Sequence, residues 1–491
     1  MEKSFYLAFD LGAESGRTVL GQLENGRILT REISRFPNAP VEIEGHLHWD
    51  IYSLFEQVKI GMRAGLAAAG MQPESLAVDT WGVDFGLLSS NGTVIGLPFA
   101  YRDARTQGIM EQFFERMPRH QVYEKTGIQF LPFNTLFQLY ALIREEPGLI
   151  EESGALLFMP DLFSYLLTGK KASEFTIAST SQLLNPRTRT WDAALLSALG
   201  APPRLMQDIV SPGTSLGALS PSVIRETGLK ETRVIATASH DTAAAIAAVP
   251  ATGEGWAYIS SGTWSLMGVE LSSPLINPNV LAANFTNEGG VAGSTRFLKN
   301  IAGLWLLQQC RREWSSGRTL SYDELTGLAA EAPAFGAFVD PDCPDFLNPS
   351  SMTEAIRSFC RRTGQPPPLS PSETVRCILE SLAMKYRWTL DELVRLTGKS
   401  INRIHVIGGG SRNETLCQFA ADATGLPVFS GPAEATAVGN IMVQALAMGR
   451  VSSVGEIRAI VRESIDIKAF EPVWAAEWDR AYGMFREVIG F

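Results

Sequence analysis

Apolar and polar positions along this chain switch between a period of two and a period near three and a half, and the switches mark its elements. Ser4–Asp10 is a short apolar run closed by a glycine turn, and Arg17–Leu23 is a second run of strand character. Asn25-Gly26, followed by Arg27–Ser34, predicts a hairpin, because the favoured two-residue turn needs positive φ at both positions. Ser75–Leu88 and Thr93–Gly96 flank Asn91-Gly92 in the same way. Leu54, Val58, Met62 and Leu66 recur at helical spacing and predict a helix over Ile51–Ala69. Hairpins mixed with helices indicate an α/β fold, not an all-parallel sheet.

The pattern restarts near residue 253. Pro250-Ala-Thr-Gly-Glu-Gly255 is turn-rich; Trp256–Ser260 then reads as a strand, Ser261-Gly-Thr263 as a tight turn and Trp264–Glu270 as a second strand. This echoes Phe5–Asp10, Leu11–Gly16 and Arg17–Leu23, and predicts a duplicated fold. Further on, Ile401–Ile407 reads as a buried strand, Gly408-Gly-Gly410 as a turn and Ser411 as the N-cap of a helix carrying Leu416, Phe419 and Ala423 on one face. Pro427–Ser430 reads as a strand, Glu434–Met448 as a helix and Pro366-Pro-Pro368 as a surface loop.

A chain of 491 residues exceeds one ordinary core, so two or more domains are expected. The net charge of −10 argues against nucleic acid or an anionic membrane as the main partner. No run approaches the roughly 18 apolar residues of a membrane span. Asp10 cuts the N-terminal apolar run too short for a signal peptide, so the cytoplasm is the expected compartment. The five cysteines have no Cys-x-x-Cys spacing and read as reduced thiols, with a Cys360–Cys377 bridge left open.

Several small turns carry candidate chemistry. In Asp10-Leu-Gly-Ala-Glu-Ser-Gly-Arg17 a carboxylate at a strand end precedes a small-residue turn, which suits a phosphate and its Mg²⁺, with Arg17 adding a charge-assisted contact; the same pattern serves ordinary hairpins. Ser260-Ser-Gly-Thr-Trp264 and Gly408-Gly-Gly410 are two more backbone-exposing turns, and neither is a Walker A loop or a dinucleotide fingerprint. Ser239-His-Asp-Thr242 opens the alanine-rich stretch Ala243–Val249. It reads either as a capped buried helix or as a catalytic carboxylate, Asp241, kept ionised by the helix N-terminus. Thr80-Trp-Gly-Val-Asp-Phe85 offers aromatic faces and an acid to a sugar, or a half-buried strand. Tyr101–Thr106 is a charged cluster or a solvated loop. His46-Leu-His48 lacks a third ligand nearby and is not read as a metal site.

Together these pieces resemble the FGGY carbohydrate kinases. The order carries the resemblance: Phe9-Asp-Leu-Gly12, Tyr101–Thr106, Pro160-Asp-Leu-Phe-Ser-Tyr-Leu-Leu-Thr-Gly169, Ser239-His-Asp241, Ser260–Thr263 and Ile407–Gly410. Asp79–Phe85, Gly127–Thr135, Ala238–Thr242, Ser261–Met267 and Leu298–Gln308 are similar to the branch that acts on L-rhamnulose. The resemblance implies a two-domain, duplicated actin/hexokinase-like (ribonuclease H-like) ATPase fold, residues 1–250 and 251–491, with the active site in the interdomain cleft. It implies ATP-dependent phosphorylation of L-rhamnulose at the 1-hydroxyl, with ATP and Mg²⁺ as cofactors. Asp241 is then the general base and Asp10 the metal position. Gly82, His240, Asp241, Thr242 and Asn300 are the sugar positions; Ala13, Glu14, Ser15, Gly16, Arg17, Thr263, Gln308 and Gly409 are the nucleotide positions. Glu14 departs from the small or hydroxyl residue many relatives carry. Another ketose (L-fuculose, L-ribulose or D-xylulose) and a non-catalytic sugar sensor are the competing expectations; the oligomeric state is left open.

Overall fold

The computed structural model describes residues 3–315, 320–473 and 475–490; residues 1, 2 and 491 of the expected domains lie outside them. Its elements include strands β1 (Ser4–Leu11), β2 (Ser15–Glu24) and β3 (Arg27–Pro37), helix α1 (Ile51–Ala69), and strands β4 (Ser75–Thr80) and β5 (Phe85–Ser89). Then come β6 (Thr214–Ala218), β7 (Arg233–Ala236), α2 (Asp241–Ala247), β8 (Trp256–Ser261), β9 (Ser265–Leu271), β10 (Thr295–Ile301) and α3 (Trp305–Trp314). Last are β11 (Arg403–Ile407), α4 (Glu414–Thr424), β12 (Val428–Ser430), α5 (Ala435–Ala447) and β13 (Lys468–Phe470).

Two compact units emerge. The first holds Met1–Thr252, Glu270–Phe297 and Ala435–Ser464; the second holds the rest. A six-stranded sheet ordered β6-β7-β4-β1-β2-β3 forms the first. β1 pairs antiparallel with β2 and parallel with β4, so its eight residues are all buried. The Asn25-Gly26 hairpin forms as expected, with φ of 51° and 73°. Helix α1 spans the residues its spacing predicts and is capped by Asp50, whose side chain accepts from Ser53 N at 3.0 Å. In the second unit β8 pairs antiparallel with β9 and parallel with β11, which pairs parallel with β12, while β13 runs antiparallel to β12. An antiparallel hairpin with a parallel neighbour thus opens both units, and the repeat read from the sequence is a topological one.

Three expectations need correction. Ser75–Leu88 is two strands, not one: Trp81–Asp84 breaks it, and Val83 sits at φ 69°, where a β-branched residue is strained. Ser411 does not cap α4. It lies in a 3₁₀ turn over Gly409–Arg412, and Asn413 supplies the cap by accepting from Leu416 N at 2.9 Å. The alanine-rich helix is α2, seven residues long, and none of Ser239, His240 or Asp241 caps it in the usual way: the cap position is His240, which makes no side-chain cap bond.

Candidate active site

The end of β1 sets a row of charge. Register places Asp10 opposite Arg17 of β2 and beside Asp79 of β4. Arg17 Nε and Nη2 both donate to Asp10 Oδ2, at 2.9 and 2.6 Å, leaving Oδ1 outside that pair. Asp79 is fully buried, and its Oδ2 accepts from Asn440 Nδ2 of α5 at 2.5 Å. Burial beside the Asp10 charge raises the Asp79 carboxyl well above the usual range despite that bond. Gln444, one turn on, donates to Asn440 Oδ1 at 2.7 Å and to Leu7 O at 3.0 Å, so a polar ladder inside an otherwise apolar helix locks α5 to the sheet. The turn after Asp10 closes through Gly12 N donating to Ser15 O at 3.0 Å. Asn38 engages two of its carbonyls, donating from Nδ2 to Gly12 O at 2.8 Å and from its N–H to Glu14 O at 3.0 Å. The Glu14 residue is exposed, so the departure from the family pattern faces solvent.

Asp241 lies at the first position of α2. Its Oδ1 accepts from Thr242 N at 2.6 Å and Thr242 Oγ1 at 3.2 Å, and stands 3.4 Å from His240 Nε2. About a third of the side chain, 31%, remains exposed. Desolvation first, and the Asp10 charge second, push its carboxyl up to about 7, with the Thr242 bonds and Arg296 acting against the rise. The helix end therefore does not hold the Asp241 carboxyl in the usual carboxylate range: one short helix does not outweigh burial and a second carboxylate. His240 is buried, and Arg296, wholly inside, donates from Nη2 to its Nδ1 at 3.0 Å while pairing with Glu288 Oε2 at 3.0 Å. Gly82 completes the group: a Cβ there would sit 3.4 Å from His240 Nε2. Gly82, His240, Asp241 and Thr242 are thus brought together in the first unit, within reach of the Asp10 charge.

Other candidates do structural work. Asp84 Oδ2 accepts from the Trp49 and Trp81 indoles (2.7 and 2.9 Å) and from Tyr101 N (3.1 Å), and its Oδ1 accepts from Gln138 Nε2 (2.8 Å). Saturated and buried, it has no acceptor to offer a sugar, and Trp81 and Phe85 lie in the core. Asp103 accepts from Leu47 N and Arg105 N at 2.7 and 2.9 Å, which makes Tyr101–Thr106 a brace for the neighbouring hairpin. His48 Nδ1 lies 3.2 Å from Leu97 O, and among the described residues no cluster of three His, Cys, Asp or Glu is formed. Cys310, Cys343, Cys360, Cys377 and Cys417 are free thiols.

The second unit gathers the other turns. Gly262 N donates to Trp264 O at 2.8 Å, and Trp305 N at the start of α3 donates to Thr263 O at 3.1 Å. Gly303 packs so closely there that a Cβ would meet Ser265 N at 2.7 Å. One turn into α3, the buried Gln308 Oε1 has no hydrogen-bond partner among the described residues. Gly408, at φ 83°, and Gly410 approach Ser261 too closely for any side chain, whereas Gly409 faces open space. Thr263, Gln308 and the Gly408–Gly410 turn therefore form a second cluster. Asn300 lies on β10 in this unit, next to Lys299, whose ammonium burial pushes down to about 8. The sequence reading missed Asn38, Asp79, Glu288, Arg296 and Asn440. Only Asp79 sat inside a quoted motif; Asn38 lies in the loop after β3, and the rest lie alone in unremarkable helices and strands.

The comparisons place the chain in a family. Residues 5–248 match the N-terminal domain model, and 257–448 the C-terminal domain model, of the FGGY family of carbohydrate kinases. The chain is 47% identical over 489 residues to a rhamnulokinase of Bacteroides thetaiotaomicron, covering 100% of both chains. It is 42% identical to a rhamnulokinase of Halalkalibacterium halodurans, covering 95% of this chain and 98% of that one. Among solved structures, xylulose kinase from Lactobacillus acidophilus superposes with a TM-score of 0.82 at 16% identity, covering 99% and 98% of the two chains. Plasmodium falciparum glycerol kinase with ADP superposes with a TM-score of 0.77 at 13% identity, again over 99% and 98%. No helix among the described residues is long and apolar enough to cross a membrane.

Proposed function

The chain belongs to the FGGY family of carbohydrate kinases, and from that premise we propose that it is a cytoplasmic kinase transferring the γ-phosphoryl group of ATP to the 1-hydroxyl of L-rhamnulose. The choice of sugar rests on the full-length likeness to rhamnulokinases. The observation that carries the chemistry is Asp241: a carboxyl raised to about 7, partly open, and 3.4 Å from His240 Nε2. A base whose pKa lies near the working pH is both deprotonated enough to act and basic enough to help.

In this reading Asp241 orients the sugar hydroxyl and accepts its proton as the oxygen bonds to the γ-phosphorus and the bond to ADP breaks. Phosphoryl transfer passes through a loose transition state, so positioning and charge neutralisation supply most of the rate. His240 and Thr242 hydrogen-bond the sugar, and Gly82 leaves it room. Asn300 contributes a further polar contact. The turn Ala13–Gly16 lines its backbone along the phosphates, with Arg17 countering their charge. Thr263, Gln308 and Gly409 are nucleotide positions in the same reading; the Gln308 Oε1, without a partner among the described residues, and the open space at Gly409 suit that role. The donors fit Mg²⁺, which takes one or two carboxylates plus phosphate oxygens: Asp10 keeps Oδ1 outside its pair with Arg17 and would hold the ion. Bound there, Mg²⁺ supplies charge neutralisation at the phosphates.

ADP release with MgATP and a panel of L-rhamnulose, L-fuculose, L-ribulose, D-xylulose and glycerol tests the proposal. Selective stimulation by L-rhamnulose is the expected result. Selectivity for another sugar overturns the substrate, and no stimulation by any sugar from folded, ATP-binding protein overturns the kinase.

A further inference from the structure

Pro160–Gly169 carries an acidic residue that the proposed chemistry does not use. Asp161 is buried, and its Oδ1 accepts the backbone N–H of Glu174 at 3.1 Å. Glu174, also buried, precedes the four-residue helix Phe175–Ala178 and caps it: Oε1 accepts from Thr176 N at 2.9 Å and Oε2 from Ile177 N at 3.1 Å. Capping alone would be served as well by a shorter Asp or Ser. The extra reach goes elsewhere. Glu174 Oε2 also accepts from Ser239 N at 3.1 Å and from Thr176 Oγ1 at 2.5 Å. Thr176 Oγ1, its proton committed to Glu174, accepts from His240 N at 3.2 Å.

These bonds complete the backbone accounting of the two residues before Asp241. Ser239 N and His240 N end on Glu174 and Thr176. Ser239 O accepts from Thr80 N at 3.0 Å, and His240 O accepts from Ala243 N and Ala244 N at 2.7 and 3.1 Å. No backbone polar group between Ser239 N and His240 O is left to water, so the direction in which the chain enters Asp241 is fixed from outside its own helix. We propose that Glu174 and Thr176 form a positioning clamp that aims the Asp241 carboxylate, with Asp161 steadying Glu174. Neither clamp residue touches Asp241 or the reacting groups, so they are positioning residues, and the inference rests on the reading of Asp241 as the base.

Thr176→Val removes the hydroxyl that receives His240 N and nearly preserves shape. With the full chain, MgATP and L-rhamnulose, kcat is expected to fall about 10- to 100-fold, since a misaimed group costs rate while ground-state binding persists. KM for both substrates should stay within about twofold. Thr176→Ser keeps the hydroxyl and should recover kcat to within about threefold of the parent enzyme. If the valine variant melts below the assay temperature, Thr176→Ala removes the same hydroxyl with less steric load and is read in the same way. Unchanged kcat in a folded variant without the hydroxyl overturns the clamp. So does a serine variant as slow as the valine variant, or a rise in sugar KM that matches the fall in kcat. Asp241→Asn, assayed beside them, separates the two claims. Retained turnover there removes the base itself, whereas an inactive asparagine variant beside a fully active Thr176→Val removes only the clamp.

Discussion

Arg296 Nη2 lies 3.0 Å from His240 Nδ1. A guanidinium can only donate, so this contact makes Nδ1 the acceptor and leaves the imidazole proton on Nε2, the nitrogen 3.4 Å from Asp241 Oδ1. Burial first, and the Arg296 charge second, hold His240 well below its usual pKa, so the neutral tautomer persists through physiological pH. In Arg296→Met the second cause is gone, and His240 should titrate at higher pH, read from its ring proton shifts by NMR. An unchanged titration would mean that Arg296 does not set the ring's state.

Asp241→Asn should lower kcat by about 10²–10⁴-fold, the usual worth of a positioned general base. MgATP affinity, measured by calorimetry, should change little, because no proposed nucleotide position is altered. Near-normal turnover would take the base role away from Asp241.

The pH profile follows from the same carboxyl. A base works deprotonated, so kcat/KM, which reports the free enzyme, should fall as pH drops through about 7, where burial and the Asp10 charge have moved Asp241. An acid limb near 4 instead would show that the raised carboxyl is not the one catalysis uses. Stability moves the other way. The folded protein retains a proton on Asp241 between about 4 and 7 that the unfolded chain releases, so ionising this group costs stability as pH rises through that window. Asp241→Asn should therefore melt higher than the parent at pH 8, with the difference shrinking toward pH 5.

Gly439 marks the closest approach of α5 to α2. A Cβ there would stand 1.8 Å from Ala244 O, a backbone atom that cannot swing aside. Gly439→Ala should destabilise by about 1–3 kcal/mol through overpacking, read by denaturant melts, and slow turnover by shifting the helix that begins with Asp241. Unchanged stability would show that α2 and α5 separate easily.

Much of the fold was legible because it is written locally. The spacing of Leu54, Val58 and Met62 gives α1 to the residue, and Asn25-Gly26 gives its hairpin. Trp81–Asp84 misled because alternation does not register a backbone bend: Val83 enters positive φ under tertiary constraint, with Thr135 Oγ1 donating to its carbonyl at 2.6 Å. The periodicity of Glu434–Met448 specifies a helix but not that Asn440 and Gln444 face the first sheet. Candidate site residues within short motifs, such as Asp10, Gly82 and Asp241, were visible as types and spacing. Arg296, Asn38 and Thr176 were not, since each acts through a partner far along the chain. The direction of the Asp241 shift was also hidden: the helix end is local, while the burial and the Asp10 charge that outweigh it come from other elements.

The central claim is transfer of phosphate to one hydroxyl of one sugar, and product analysis tests it most directly. L-Rhamnulose labelled with ¹³C at C1 would be incubated with MgATP and the enzyme, and followed by ³¹P and ¹³C NMR. The expected result is a phosphate monoester signal coupled to the labelled C1, formed one for one with ADP. ADP without that ester, or an ester on another carbon, would contradict the account.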